Sequence, residues 1–165
     1  MAPATADDLE QGLKVAYLYN FTHFVAWPET SLGRHFQISV LGDPDMAQAL
    51  LALERQQKQA QRRPIRIHRA VGPNDPAIDD AQILFVGKAA VDRLPAILQR
   101  TRDRPVLLVG DSHGLAERGV GINFFLQPDI LGGGERLRFE INPKALAGRG
   151  LRISAQLYDV AEIVQ

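Results

Sequence analysis

The sequence predicts an α/β fold: a single-domain layered sheet of about six strands flanked by helices, with a C-terminal antiparallel hairpin. Three observations carry that prediction. A length of 165 residues suits one domain with a single sizeable core. Short apolar runs of strand character alternate with amphipathic stretches through the first two thirds of the chain. In the last third, two strand-like runs are separated by Gln127–Arg136, long enough for a hairpin and too short for a crossover helix.

The first element is a helix capped by Asp7 or Asp8 and running to about Ala26, its apolar face formed by Leu13, Tyr17, Phe21, Phe24 and Val25. Trp27-Pro28 ends it, because a residue before proline is pushed out of the α region. Gln37–Gly42 reads as a strand. Asp45–Gln59 reads as a helix packed through Met46, Ala49, Leu50 and Leu53, with a very polar end. Pro64–Arg69 alternates with Ile65 and Ile67 on one face, as a strand wet on its other side does. Gly72–Pro76 is a turn, and Ala81–Val86 a buried central strand. Ala89–Arg100 is helical with a kink expected at Pro95.

Pro105–Val109 is a second buried strand. Gly121–Leu126 and Leu137–Ile141 form the hairpin, whose loop holds Gly132-Gly133-Gly134. Asn142–Gly148 is a short turn or helix. Ile153–Val164 is expected as a closing helix with Ile153, Leu157, Val160, Ala161 and Val164 inward. Residues 1–8 have the composition of a disordered or tag-like start, leaving 9–165 as the domain.

Composition excludes several chemistries. The 19 Lys+Arg and 19 Asp+Glu cancel, so no overall field draws in nucleic acid or anionic lipid, and no nucleic-acid partner is expected. No cysteine is present, which removes disulfides, thiolate metal sites and cysteine nucleophiles. The start has neither the basic nor the apolar region of a signal peptide, and it equally fits a mature N-terminus behind an added Met. No apolar run reaches the ~18–20 residues of a membrane span.

No catalytic, cofactor or metal constellation emerges. His23, His35, His68 and His113 are not spaced to share a metal. Asp111-Ser112-His113 has the residue types of a triad, but consecutive residues cannot line up as nucleophile, base and orienter. The glycine triplet does not open a helix, so it makes no phosphate cradle. Asp43 and Asp45 suggest a phospho-acceptor fold, yet the central strand ends Phe85-Val86-Gly87-Lys88 without the carboxylate that chemistry needs. Gln56–Arg63 is basic but lacks the aromatics of a nucleic-acid stripe. The densest unusual feature is the aromatic group Tyr17, Tyr19, Phe21, Phe24 and Trp27. Tyr19 lies off the packed stripe and Trp27 sits at the helix end, which makes both candidate partner or ligand contacts.

The pieces also carry a resemblance. Lys14-x-x-Tyr17-Leu18-x-x-Phe21-x-x-x-Val25-x-Trp27-Pro28 resembles the opening signature of the YfiR-like periplasmic regulators. Ile38–Gly42, Ile83–Val86, Pro105–Asp111, Gly121–Phe124, Arg138–Asn142 and Gly150–Ser154 follow in the family's order, so the resemblance spans Leu9 to Val164. It implies a periplasmic, non-enzymatic regulator without a cofactor. It further implies binding to the periplasmic sensor region of an inner-membrane diguanylate cyclase, repressing it and so lowering cyclic di-GMP and biofilm formation. An outer-membrane lipoprotein partner and a homodimer are implied as well. Some members carry cysteine pairs; the corresponding position here is Ala81, so control through a disulfide is excluded. Asn123, Glu140, Asn142 and Ser154 lie within the matching blocks and join Trp27 and Tyr19 as candidate contacts, Ser154 also being a candidate N-cap. The alternative is a small-molecule sensor domain with a pocket near Trp27 and the hairpin.

Overall fold

A computed structural model describes residues 5–165. Helix α1 (Ala6–Phe24) starts earlier than expected. Thr5 Oγ1 accepts from Asp8 N and Asp8 Oδ2 accepts from Thr5 N, each at 3.1 Å, a reciprocal capping box. Residues 5–8 are therefore the cap and first turn, while 1–4, the rest of the expected tag-like start, lie outside the described residues. The helix stops at Phe24 because Val25 is already extended, and β1 (Val25–Ala26) pairs antiparallel with β9 (Arg152–Ile153). The buried stripe is Leu18, Phe21 and Thr22, and Leu13 is 51% exposed, so the inward face is rotated from the expected one.

Next comes β2 (Phe36–Leu41), then α2 (Pro44–Arg55), capped by Asp43 Oδ1 on Met46 N at 3.0 Å. The polar tail expected to continue this helix instead turns back as β3 (Gln59–Ala60) on β4 (Arg63–Ala70). The two-residue turn between them, Gln61-Arg62, has positive φ at both positions, the geometry that matches strand twist. Helix α3 (Pro76–Asp79), β5 (Ile83–Val86), a 3₁₀ segment Lys88–Arg93 and α4 (Leu94–Arg100) follow. Pro95 lies in the first turn of α4, where its missing N–H costs nothing, so it starts that helix rather than kinking a longer one.

The chain continues through β6 (Leu107–Gly110), β7 (Ile122–Pro128), β8 (Glu135–Ile141), α5 (Pro143–Ala147), β9, α6 (Ala155–Asp159) and β10 (Glu162–Ile163). The expected closing helix is replaced by two short strands around about one helical turn. Of the expected inward face Leu157 is buried, Ile153 and Ala161 are half-buried against the core, Val160 faces solvent, and Val164 N donates to Ile141 O.

Among the described residues the main sheet has eight strands in the order β10-β8-β7-β6-β5-β2-β4-β3, against about six expected. The extra strands, β3 and β10, are two residues long, below the reach of any periodicity. The five strands β4-β2-β5-β6-β7 are parallel, and β7–β8 is the expected antiparallel hairpin. Alternation along each strand splits the core. Phe36, Ile38, Phe85, Val109, Phe124 and Phe139 face α1, α2, α5 and α6. Leu41, Leu84, Val86 and Leu108 face α3 and α4.

Candidate functional site at the carboxyl edge and hairpin face

Doubly wound sheets seat ligands outside the carboxyl ends of the strands where strand order reverses, here between β2 and β5. That position is filled by main chain. A Cβ on Gly87 would lie 2.5 Å from Gly42 O, and one on Gly42, whose φ is +81°, would lie 2.7 Å from Ala90 N.

The polar centre is displaced to the ends of β6 and β7. Lys14 Nζ, from the inward side of α1, donates to Asp111 Oδ2 at 2.9 Å and to Glu10 Oε2 at 2.8 Å. The Lys14 and Asp111 side chains are only 11% and 7% exposed. Burial pushes the Lys14 pKa down, but its hydrogen bonds to Glu10 and Asp111 and their negative charges outweigh it and leave the ammonium above its ordinary value. Asn123 Nδ2 donates to Ser112 O at 2.8 Å. Asp111 Oδ1, Ser112 Oγ and Asn123 Oδ1 are buried with no partner among the described residues, a cost the fold carries at this one place. Beside them opens a crevice of about 290 Å³ with Lys88 and His113 at its rim and Phe124 and Leu137 on its floor.

The other side of the hairpin faces outward. Asn123 pairs with Glu140 in register and Phe125 with Arg138, so these side chains share the face opposite α1. Arg138 reaches Gln127 at 3.0 Å and Glu162 at 3.6 Å. Burial raises the Glu140 pKa, and the charges of Glu117 and Glu162 raise it further against a small opposing pull from His113. Beyond the strands the hairpin ends in a built tip. Asp129 Oδ1 accepts from the backbone of Leu131 and Gly132, each at 3.2 Å, and Gly133 N donates to Asp129 O at 3.1 Å. Ile130 and Leu131 on that tip are 95% and 99% exposed.

The sequence candidates separate. Trp27 is 6% exposed, its ring set edge-on to Phe36 and its Nε1 donating to Gln82 O at 3.0 Å. It is a core residue at the amino edge of the sheet, so it presents no anchor to a partner. The hairpin tip leaves from the carboxyl edge, so no pocket unites the two. Tyr19 is half-buried, edge-on to His23 with Lys58 Nζ 5.4 Å above its ring. Asn142 caps α5 through Oδ1 on Ala145 N and donates from Nδ2 to Ala116 O. Ser154 caps α6. Only Asn123 and Glu140 come together. Lys14 and Asp111 were missed as a pair. The available signal was a lysine in line with Leu18 and Phe21, on the buried side of α1. The four histidines are all exposed, and no group of three or more potential metal ligands occurs among the described residues.

A family model described as YfiR/HmsC-like matches residues 11–162. The chain belongs to that family. Its members are regulators rather than enzymes. No curated protein matches the sequence. Ten solved chains match this one in fold, two of which illustrate the likeness. One is an ABC domain from Streptococcus pneumonia in complex with L-Trp, with a TM-score of 0.62 and 9% identity over 93% of this chain and 60% of that one. The other is a conserved domain protein from Vibrio cholerae O1 biovar eltor, with a TM-score of 0.60 and 13% identity over 94% and 60%. The chain thus spans about 60% of the length of either. No helix among the described residues is long and apolar enough to cross a membrane.

Proposed function

We propose that this chain acts in the periplasm, without catalysis, by binding the sensor region of an inner-membrane diguanylate cyclase and holding it inactive. Cyclic di-GMP and biofilm formation fall as a result. The observation that supports this reading is the family match across residues 11–162. Repression requires only that the inactive conformation of the sensor be bound better than the active one. A difference of about 2.7 kcal/mol shifts such an equilibrium roughly hundredfold. Without cysteine the switch is set by partners, with an outer-membrane lipoprotein and self-association as the controls the family suggests. Deleting the gene should raise cyclic di-GMP, and the purified protein should bind the purified sensor region. Unchanged nucleotide levels together with no binding would reject the proposal.

A second reading is a small-molecule sensor domain. It is favoured by the unpartnered Asp111, Ser112 and Asn123 atoms beside the carboxyl-edge crevice. The pneumococcal neighbour's complex with L-Trp makes that amino acid a first compound to try. Because Trp27 is buried at the opposite edge, thermal shift is a better readout than its fluorescence. A Tm that rises with ligand in the native chain and not in Asp111→Asn would support this reading; a flat response would end it.

A further inference from the structure

The face of the sheet opposite α1 is covered in its middle and at the base of the hairpin, and open along the outer part of the β7–β8 ribbon. Helices α3 and α4 pack on Leu84, Val86 and Leu108, and residues 112–118 close over Asn123 and come near Glu140, while Phe125 and Arg138 farther along the hairpin belong to neither core cluster. This bare face runs into the tip where Ile130 and Leu131 stand in solvent on a turn held by Asp129. Exposed aliphatic side chains on a hydrogen-bonded turn, beside polar ones, are the make-up of a non-obligate protein interface, an apolar anchor with a charged rim.

Charge distinguishes the occupants. Around the tip stand Asp129, Glu135 and Arg136, two carboxylates to one guanidinium, the wrong sign for an anionic lipid surface. A second copy fits no better. Strand β10 occupies the outer edge of β8 at Glu140 and Ile141, leaving residues 135–139 open. A two-fold antiparallel pairing there sets Arg136 opposite Arg138 or opposite another Arg136, like charges directly across a ladder. Near Glu140 carboxylates outnumber cations: Glu117 and Glu162 stand close, and of these three carboxylates Arg138 pairs with Glu162 only.

We infer that the β7–β8 hairpin is the docking element of this chain. Its occupant is a protein with an apolar pocket for Ile130 and Leu131 and a basic side chain for the Glu117, Glu140 and Glu162 carboxylates. This rests on the repressor reading above and names its contact surface. The probe is the purified sensor region of the membrane diguanylate cyclase encoded nearest this gene, titrated against the native chain, Ile130→Ser/Leu131→Ser, and Glu140→Lys.

The double variant should bind on the order of 30-fold more weakly, and Glu140→Lys about tenfold, both with unchanged circular dichroism and gel-filtration volume. Native-like affinity in the double variant overturns the inference while leaving the repressor reading intact. So does a change in oligomeric state, or sedimentation of the native chain with phosphatidylglycerol vesicles, which would assign the tip to a second copy or to lipid. If the native chain itself fails to bind, the repressor reading falls and this inference falls with it.

Discussion

The two faces of the β7–β8 hairpin are built from the same strands and serve opposite ends. Toward α1, Phe124 and Phe139 meet Tyr17 and Phe21 in a cluster of rings 5.1–6.4 Å apart, with both hairpin phenylalanines almost fully buried. Toward solvent, Phe125, Gln127, Arg136, Arg138 and Glu140 occupy the alternate positions, with only the short segment around Glu117 near Glu140. The first face has its apolar surface removed from water by folding itself. The second keeps its polar groups hydrated and available. Stability and recognition are thus divided by strand parity, one residue apart, and a substitution's effect should depend on which parity it falls on.

The sharpest test replaces an inward ring. Phe139→Ala should cost about 3–5 kcal/mol in urea denaturation, whereas Phe125→Ala, whose ring is only partly covered, should lose less than half as much. Equal losses would show that the outer face is not bare.

Next in size is Lys14→Met, which leaves the Asp111 carboxylate buried without its counter-charge and should cost about 2–3 kcal/mol. Because the Lys14 pKa is raised in the fold, the contribution of its charge is fully present below the ordinary lysine value. It is lost as pH climbs through the raised one, so the native and Lys14→Met chains should converge in stability at strongly alkaline pH. No convergence would mean that the lysine acts through packing alone.

The smallest effect has the opposite sign. The Glu140 pKa is raised on folding, so its charged form is the disfavoured one and stability falls as pH rises through the ordinary glutamate value toward the raised one. Glu140→Gln should therefore raise Tm slightly at pH 7 and leave it unchanged below about pH 4. A lower Tm at pH 7 would mean that the carboxylate makes a favourable contact.

Sequence pattern revealed the fold wherever burial left a long enough trace. Ile83–Val86 and Leu107–Gly110 lie between layers and read as apolar runs, and alternation in Leu137, Phe139 and Ile141 marked the hairpin's buried side. Strands β1, β3, β9 and β10 hold two residues each, too few for a period, and they exist only because a neighbouring strand is there to pair with. Trp27 misled because a tryptophan beside a proline at a helix end resembles a surface anchor. The chain instead folds back through β1 and carries the indole inward. Asn123 and Glu140 were singled out separately as members of matching blocks, and their pairing across β7 and β8 depends on register. The Lys14–Asp111 bond joins residues 97 positions apart, a distance over which a lone sequence holds no pairing information.

Gly42 and Gly87 give this scaffold a restriction that outlasts any one partner. Nucleotide-binding folds of the same strand order leave a gap where these two loops touch, and here enlarging either glycine would wedge the loops apart before opening any usable space. A ligand seated at that switch point would require both loops to move apart. New specificities have the rim and the protruding ribbon in which to arise, where side chains can vary while the packed interior stays as it is.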